Sequence, residues 1–190
     1  MSDIRNERTE QAIRQAMLDL LKKKKPFDCL SVTEVATAAG VSRSTFYAHF
    51  ANLQEVFEAL AREFHNTLRD LGVQLRCGAD AEETGMPKRP YCMALRDAGP
   101  YEALVKDPHY LSELKNVLGD VLGPWAEQNI YCATGIGADQ ASALLLFQMA
   151  GCYTAAMSCN DDVAWEKTRV SIDAFIRAGL GGLRQQQPME

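Results

Sequence analysis

Several large protein classes leave no mark on this chain. No apolar run approaches the roughly 18 residues that a membrane-spanning helix needs. Residues 1–10 are polar and of mixed charge, unlike a secretory leader. The expected location is therefore the cytoplasm, with no membrane among the partners. Glycine-rich phosphate loops are missing, as are a Ser/His/Asp order and a paired-carboxylate site. Histidine is scarce, and His49, His65 and His109 stand far apart. No enzyme, cofactor or metal site is expected. The six cysteines (Cys29, Cys77, Cys92, Cys132, Cys152, Cys159) form no C-x-x-C pair and no zinc-finger spacing. In a reducing compartment they read as small hydrophobes. Strong positive charge is missing too, since the net charge is −5.

What is present is a globular composition, 47% hydrophobic over 190 residues, with a lopsided charge distribution. Residues 1–50 hold eight Lys/Arg against six Asp/Glu, so the acidity sits in the remainder. A slightly basic head on an acidic body is compatible with a nucleic-acid footprint confined to the head.

Helical periodicity dominates. Ile13, Ala16, Met17, Leu20 and Leu21 form one apolar face, and Pro26 is expected to stop this first helix after the Lys22–Lys25 run. Ser31 and Glu34 have capping-box spacing at a second helix start. Val35, Ala36 and Ala39 form the buried side of that helix, and Gly40 ends it. Ser42 then caps a third helix, expected over 43–50. Two short helices about a glycine turn make a helix-turn-helix. Asn52 and Glu55 start a long helix whose stripe is Leu53, Phe57, Leu60, Phe64, Leu68, Leu71 and Leu75. Residues 76–90 read as a loop. Short helices follow to Lys106, broken at Gly99 and Pro100, and a longer one follows Pro108. Asp139 is expected to cap an all-round apolar helix to about Cys159. Asp161 or Asp162 caps the last, bearing Trp165, Arg169, Ile172, Ile176 and Leu183, with Gly179, Gly181 and Gly182 ending it.

Residues 31–56, SVTEVATAAGVSRSTFYAHFANLQEV, resemble the N-terminal signature of the tetracycline-repressor (TetR) family of regulators. The matching residues are Ser31, Val35-Ala36, Ala39-Gly40-Val41-Ser42, Thr45-Phe46-Tyr47, His49-Phe50 and Glu55-Val56. The likeness spans roughly residues 8–60, and only the all-helical character continues beyond. One departure is Leu53, which stands where the family usually has a lysine, so one phosphate contact is lost.

The resemblance implies an all-α fold. A three-helix DNA-binding head (1–53) would precede a helical ligand-binding and dimerisation body (54–190). By groove chemistry, Arg43 suits guanine, and Ser42, Ser44 and Thr45 allow close approach. Tyr47, His49, Thr33 and Ser31 can reach phosphates. Phe46 and Phe50 face the core. The last two helices carry more apolar surface than one copy can hide, which points to a homodimer. Two heads would then meet half-sites of double-stranded operator DNA about 34–36 Å apart. The resemblance further implies a cavity for an unknown small-molecule effector, with Tyr91, Tyr101, Trp125, Phe147 and Tyr153 as candidate lining residues. An effector acts only through unequal affinity for two conformations, roughly 5.5 kcal/mol for a full switch. Two alternatives remain at this stage: a regulator that senses oxidants through its cysteines, and a DNA-binding dimer with a filled core.

Overall fold

In the computed structural model the described residues are 2–70, 90–114, 116 and 134–185, and every regular element among them is a helix. In chain order they are α1 (Ser2–Lys22), α2 (Val32–Ala38), α3 (Arg43–His49), α4 (Leu53–Asp70), α5 (Tyr91–Arg96), α6 (Glu102–Val105), α7 (Ala138–Ser158) and α8 (Asp162–Gln185). Single 3₁₀ turns occupy Phe27–Cys29 and Gly99–Tyr101. Residues 109–114 are helical as well. The rest of the helix expected after Pro108, together with Leu71, Leu75, Cys77, Trp125 and Cys132, lies outside the described residues.

The chain divides into two compact units. The first joins Met1–Phe64 to Gly99–Glu113, and the second joins His65–Ala98 to Leu114–Glu190. The long helix α4 belongs to both.

In the first unit, α1 buries Ile13, Ala16, Met17, Leu18 and Leu21, while Leu20 is only half-buried. The helix stops four residues before Pro26. Lys24 takes a left-handed conformation, φ 60°, and its N–H donates to the Leu21 carbonyl at 2.9 Å. Glycine normally fills that place, and a Cβ there costs about 1 kcal/mol. α1 packs against α2, α3 and α6. From α4 come Val56, Phe57, Leu60 and Phe64, all buried.

The segment Gly99–Glu113 closes this unit through two residues. The Asp107 carboxylate accepts from the Phe27 and His109 backbone N–H groups, both at 2.9 Å. The His109 ring stacks on Phe27 at 4.2 Å and meets Phe57 edge-on at 5.1 Å. Its Nε2 lies 2.8 Å from Gln54 Oε1 and 3.2 Å from Glu113 Oε1. The 3₁₀ turn that leads into α2 is thus fixed to α4 and to the 107–113 segment at once.

In the second unit, α5 packs on α7, and Cys92, Cys152, Ala156 and Trp165 form a buried cluster. Arg96 closes the α7–α8 corner. Its guanidinium donates to the carbonyls of Ala156 and Cys159 and to Asp162, and lies 5.3 Å from the Trp165 ring centroid. Asp161 caps α8, accepting from the N–H groups of Val163 and Ala164. The expected cap of α7, Asp139, instead lies in its first turn, and Gly137 holds the cap position. α8 also runs past Gly179, Gly181 and Gly182, where Leu180 and Leu183 line an apolar groove shared with α7.

By length and composition alone α7 could cross a membrane, but Ala141, Leu145, Met149, Cys152, Tyr153 and Ala156 are buried within its unit. Its other side is open. Phe147 and Phe175 are 68% and 69% exposed, and they border an apolar groove of about 480 Å³ between α7 and α8.

Candidate nucleic-acid interface

The candidate surface is built on two caps and one turn. At the start of α2 the Ser31 hydroxyl accepts from the Glu34 N–H at 3.3 Å, and the Glu34 carboxylate accepts from the Ser31 N–H at 3.1 Å. This reciprocal pair satisfies two backbone donors that a helix start leaves unpaired, worth about 1 kcal/mol. Lys25 adds an ion pair to the same carboxylate. The Glu34 carboxyl is held below its ordinary value of 4.5, first by the Lys25 hydrogen bond and then by Ser31.

α2 ends at Gly40, whose φ of 69° reverses the chain. The Gly40 N–H donates to the Thr37 carbonyl at 3.1 Å, and the Val41 N–H to the Ala36 carbonyl at 2.9 Å. Ser42 then caps α3, accepting from the Thr45 N–H at 3.0 Å. Its hydroxyl also lies 2.8 Å from those of Ser44 and Thr45. The backbone N–H groups of the α3 tip are therefore oriented before any ligand arrives.

Which face of α3 looks outward follows from its phenylalanines. Phe46 is fully buried and Phe50 nearly so, with ring centroids 6.1 Å apart, as their spacing predicts. The opposite face carries Ser42, Arg43, Ser44 and Tyr47, all exposed, with Tyr47 at 50%. Arg43 forms no ion pair among the described residues and extends from the helix tip. The Tyr47 ring rests edge-on against Phe46 at 5.6 Å, which limits its rotamers while leaving its hydroxyl in solvent. Thr33 and Ser31 are exposed at the α2 start, and Thr45 is half-buried.

His49 differs from these. Its side chain is 13% exposed, and Nδ1 lies 3.3 Å from Glu10 on α1. α1 is held in turn by Arg14, which pairs with Glu10 at 3.7 Å and with Glu63 of α4 at 3.1 Å. The geometry places His49 in a bracing role between α1 and α3.

The candidate effector residues are not gathered in one place. Tyr101 belongs to the first unit, where its hydroxyl donates to Glu63 at 2.7 Å and its ring meets Phe64. Tyr91 and Tyr153 are buried in the second unit, and the Tyr91 hydroxyl lies 3.3 Å from His65 Nε2. Phe147 is on the open side of α7, and Trp125 is outside the described residues. Among the described cysteines, Cys92 and Cys152 are buried, Cys159 is intermediate and Cys29 is exposed.

Sequence reading missed Asp107 and His109 as builders of the head. They lie about eighty positions from Phe27, and no local pattern signals a contact at that separation.

Comparison with known proteins bears on the same segment. Residues 21–60 match the family described as bacterial regulatory proteins, tetR family. An HTH-type transcriptional regulator of Haemophilus influenzae is 35% identical over 78 residues, 41% of this chain and 38% of its own. The HTH-type transcriptional regulator YxbF of Bacillus subtilis is 31% identical over 58 residues, 30% of this chain and 15% of its own. The chain thus spans well under half the length of both relatives. Among solved structures, the TetR family repressor AlkX from Dietzia sp. strain DQ12-45-1b, implicated in biodegradation of n-alkanes, superposes with a TM-score of 0.51. The superposition covers 90% of this chain and 97% of that one at 20% identity. The all-α architecture is shared along nearly the whole length, and residues 21–60 carry the expected likeness to a regulator family.

Proposed function

We propose that this chain, which carries the helix-turn-helix of the tetracycline-repressor family at its head, is a cytoplasmic homodimeric repressor. It releases palindromic operator DNA when a small molecule occupies its helical body. The observation that carries the reading is the outward face of α3. Arg43, Ser44 and Tyr47 project from a helix whose other face is anchored by Phe46 and whose tip is pre-capped by Ser42. A guanidinium at the tip of a rigid helix suits bidentate contact with a guanine edge, and the small hydroxyls admit the backbone to the groove. Ser31, Thr33 and Tyr47 contribute phosphate contacts, which fix register without reading sequence, and Thr45 belongs with the small hydroxyls of the tip. His49 acts through its brace to Glu10.

Self-association uses α7 and α8. An apolar groove edged by two exposed phenylalanines is surface that a monomer leaves in water at a cost, and a second copy about a two-fold axis covers it with the same residues. The effector site lies in the body, where the His65–Tyr91 pair supplies polar groups within an apolar interior.

The test is duplex binding by the full chain to the intergenic DNA beside its own gene, titrated at several salt concentrations. The reading predicts a steep linear fall of log affinity with log salt, and a protected site with two-fold symmetry. Equal affinity for that DNA and for unrelated duplex at every salt concentration would contradict it.

A further inference from the structure

The first unit contains a second concavity, distinct from the α3 face. It is a cleft of about 560 Å³ between the end of α1 and the Gly99–Asp107 segment. Its rim carries Lys22, Lys24, Lys25 and Lys106 against Glu102 and Asp107, a surplus of two positive charges. The Asp107 carboxylate is turned toward two backbone N–H groups, and three of the four lysines already have carboxylate partners. Glu102 is occupied by Lys106, Lys22 pairs with Asp19, and Lys25 pairs with Glu34. Lys24 makes no ion pair among the described residues. It is also the non-glycine residue with φ 60°, so an unfavourable backbone conformation holds a lysine at the rim where glycine would sit without strain. Strain of this kind tends to persist where a side chain is needed. The floor is apolar, formed by Leu21, Pro26, Pro100 and Ala103. The volume falls within the range of small-molecule sites.

We propose that this cleft binds a small organic dianion, a phosphomonoester or dicarboxylate with an apolar body. The lysine ammonium groups take the charged head as point charges, and the proline and leucine floor takes the body. The site communicates with α2. Lys25 lines the cleft and also closes the capping box on Glu34. An anion that draws Lys25 away loosens the start of the helix-turn-helix, and reciprocity requires that operator binding oppose the anion by the same factor. This regulatory consequence rests on the proposed function, whereas the binding site itself does not.

The experiment is isothermal titration of the full chain, without DNA, using phenyl phosphate as probe. Inorganic phosphate serves as the charge without the body, and phenol as the body without the charge. The expected result is saturable binding of one phenyl phosphate per chain, weakened about tenfold or more in Lys24→Ala/Lys106→Ala and unchanged in Lys167→Ala. Inorganic phosphate and phenol should each bind more weakly. No saturable heat at millimolar phenyl phosphate overturns the site, as does unaltered binding in the double variant. Equal affinity for inorganic phosphate overturns the organic character of the occupant. A gel shift with and without phenyl phosphate reads the link. Operator affinity should fall several-fold in the parent and stay unchanged in Lys25→Ala. A parent insensitive to the probe overturns the coupling and leaves the site standing. Reduced operator affinity of the double variant without probe binding assigns the lysines to DNA phosphates and overturns the small ligand.

Discussion

Replacing Asp107 by alanine should loosen the whole head, although residue 107 is more than fifty positions beyond the helix-turn-helix. Its side chain is 7% exposed and accepts from the N–H groups of Phe27 and His109 at 2.9 Å each. Hydrogen bonds to a charged acceptor contribute about 1.5–3 kcal/mol apiece, and a donor left unpaired keeps its desolvation penalty. Both bonds are only part-buried, so each donor can recover some water and each share is trimmed. The expected loss is therefore about 2–4 kcal/mol. Asp107→Asn keeps one acceptor oxygen in place and should restore roughly half of it. Urea unfolding followed by far-UV circular dichroism reads both variants. The reasoning is refuted if the alanine variant unfolds within about 0.5 kcal/mol of the parent, the range of an ordinary surface substitution.

Two further outcomes follow from the geometry. The Glu34 carboxyl is held below 4.5 by Lys25 and Ser31, so its stabilising contribution is complete above that value. It fades as the pH drops through the lowered value, because the folded state must then take up a proton that the unfolded chain binds more readily. Glu34→Gln should accordingly flatten the acid limb of a stability–pH curve below pH 4.5 and leave its slope near neutrality unchanged. On the body, Phe147→Glu combined with Phe175→Glu places two carboxylates on the exposed rim of the α7–α8 groove. Self-association measured by light scattering should weaken about a hundredfold, with the helical content retained.

Much of the head was legible because its determinants are local. Ser31 with Glu34, Gly40, and Ser42 with Thr45 act within four residues of one another. Each specifies a cap or turn by side-chain chemistry that tertiary context has little occasion to override. The outward set on α3 followed from the burial of Phe46 and Phe50, again a matter of spacing. Contacts at a distance were not legible. Nothing near His49 announces that its ring will meet Glu10 on another helix, and nothing near Phe27 announces Asp107. The termini of α1 and α8 also escaped. Proline and glycine rules place a stop where a breaker stands, yet α1 ends early, just before a left-handed lysine, and α8 continues through three glycines. In the body, apolarity on every side of α7 revealed that the helix is buried or partnered. It could not reveal which side a single chain leaves open, since Phe147 and Tyr153 are equally apolar by pattern and opposite in exposure.

The central claim is that the tip of α3 reads duplex DNA, and the most direct measurement removes that tip without disturbing the fold. Arg43 and Tyr47 are exposed, so Arg43→Ala and Tyr47→Ala should leave the urea midpoint close to that of the parent. Gel-shift titrations on the operator should then show a loss of about 1–3 kcal/mol per half-site for each variant. Arg43→Ala should also discriminate less at one base pair. Parent-like affinity in both variants, with folding intact, would contradict the claim.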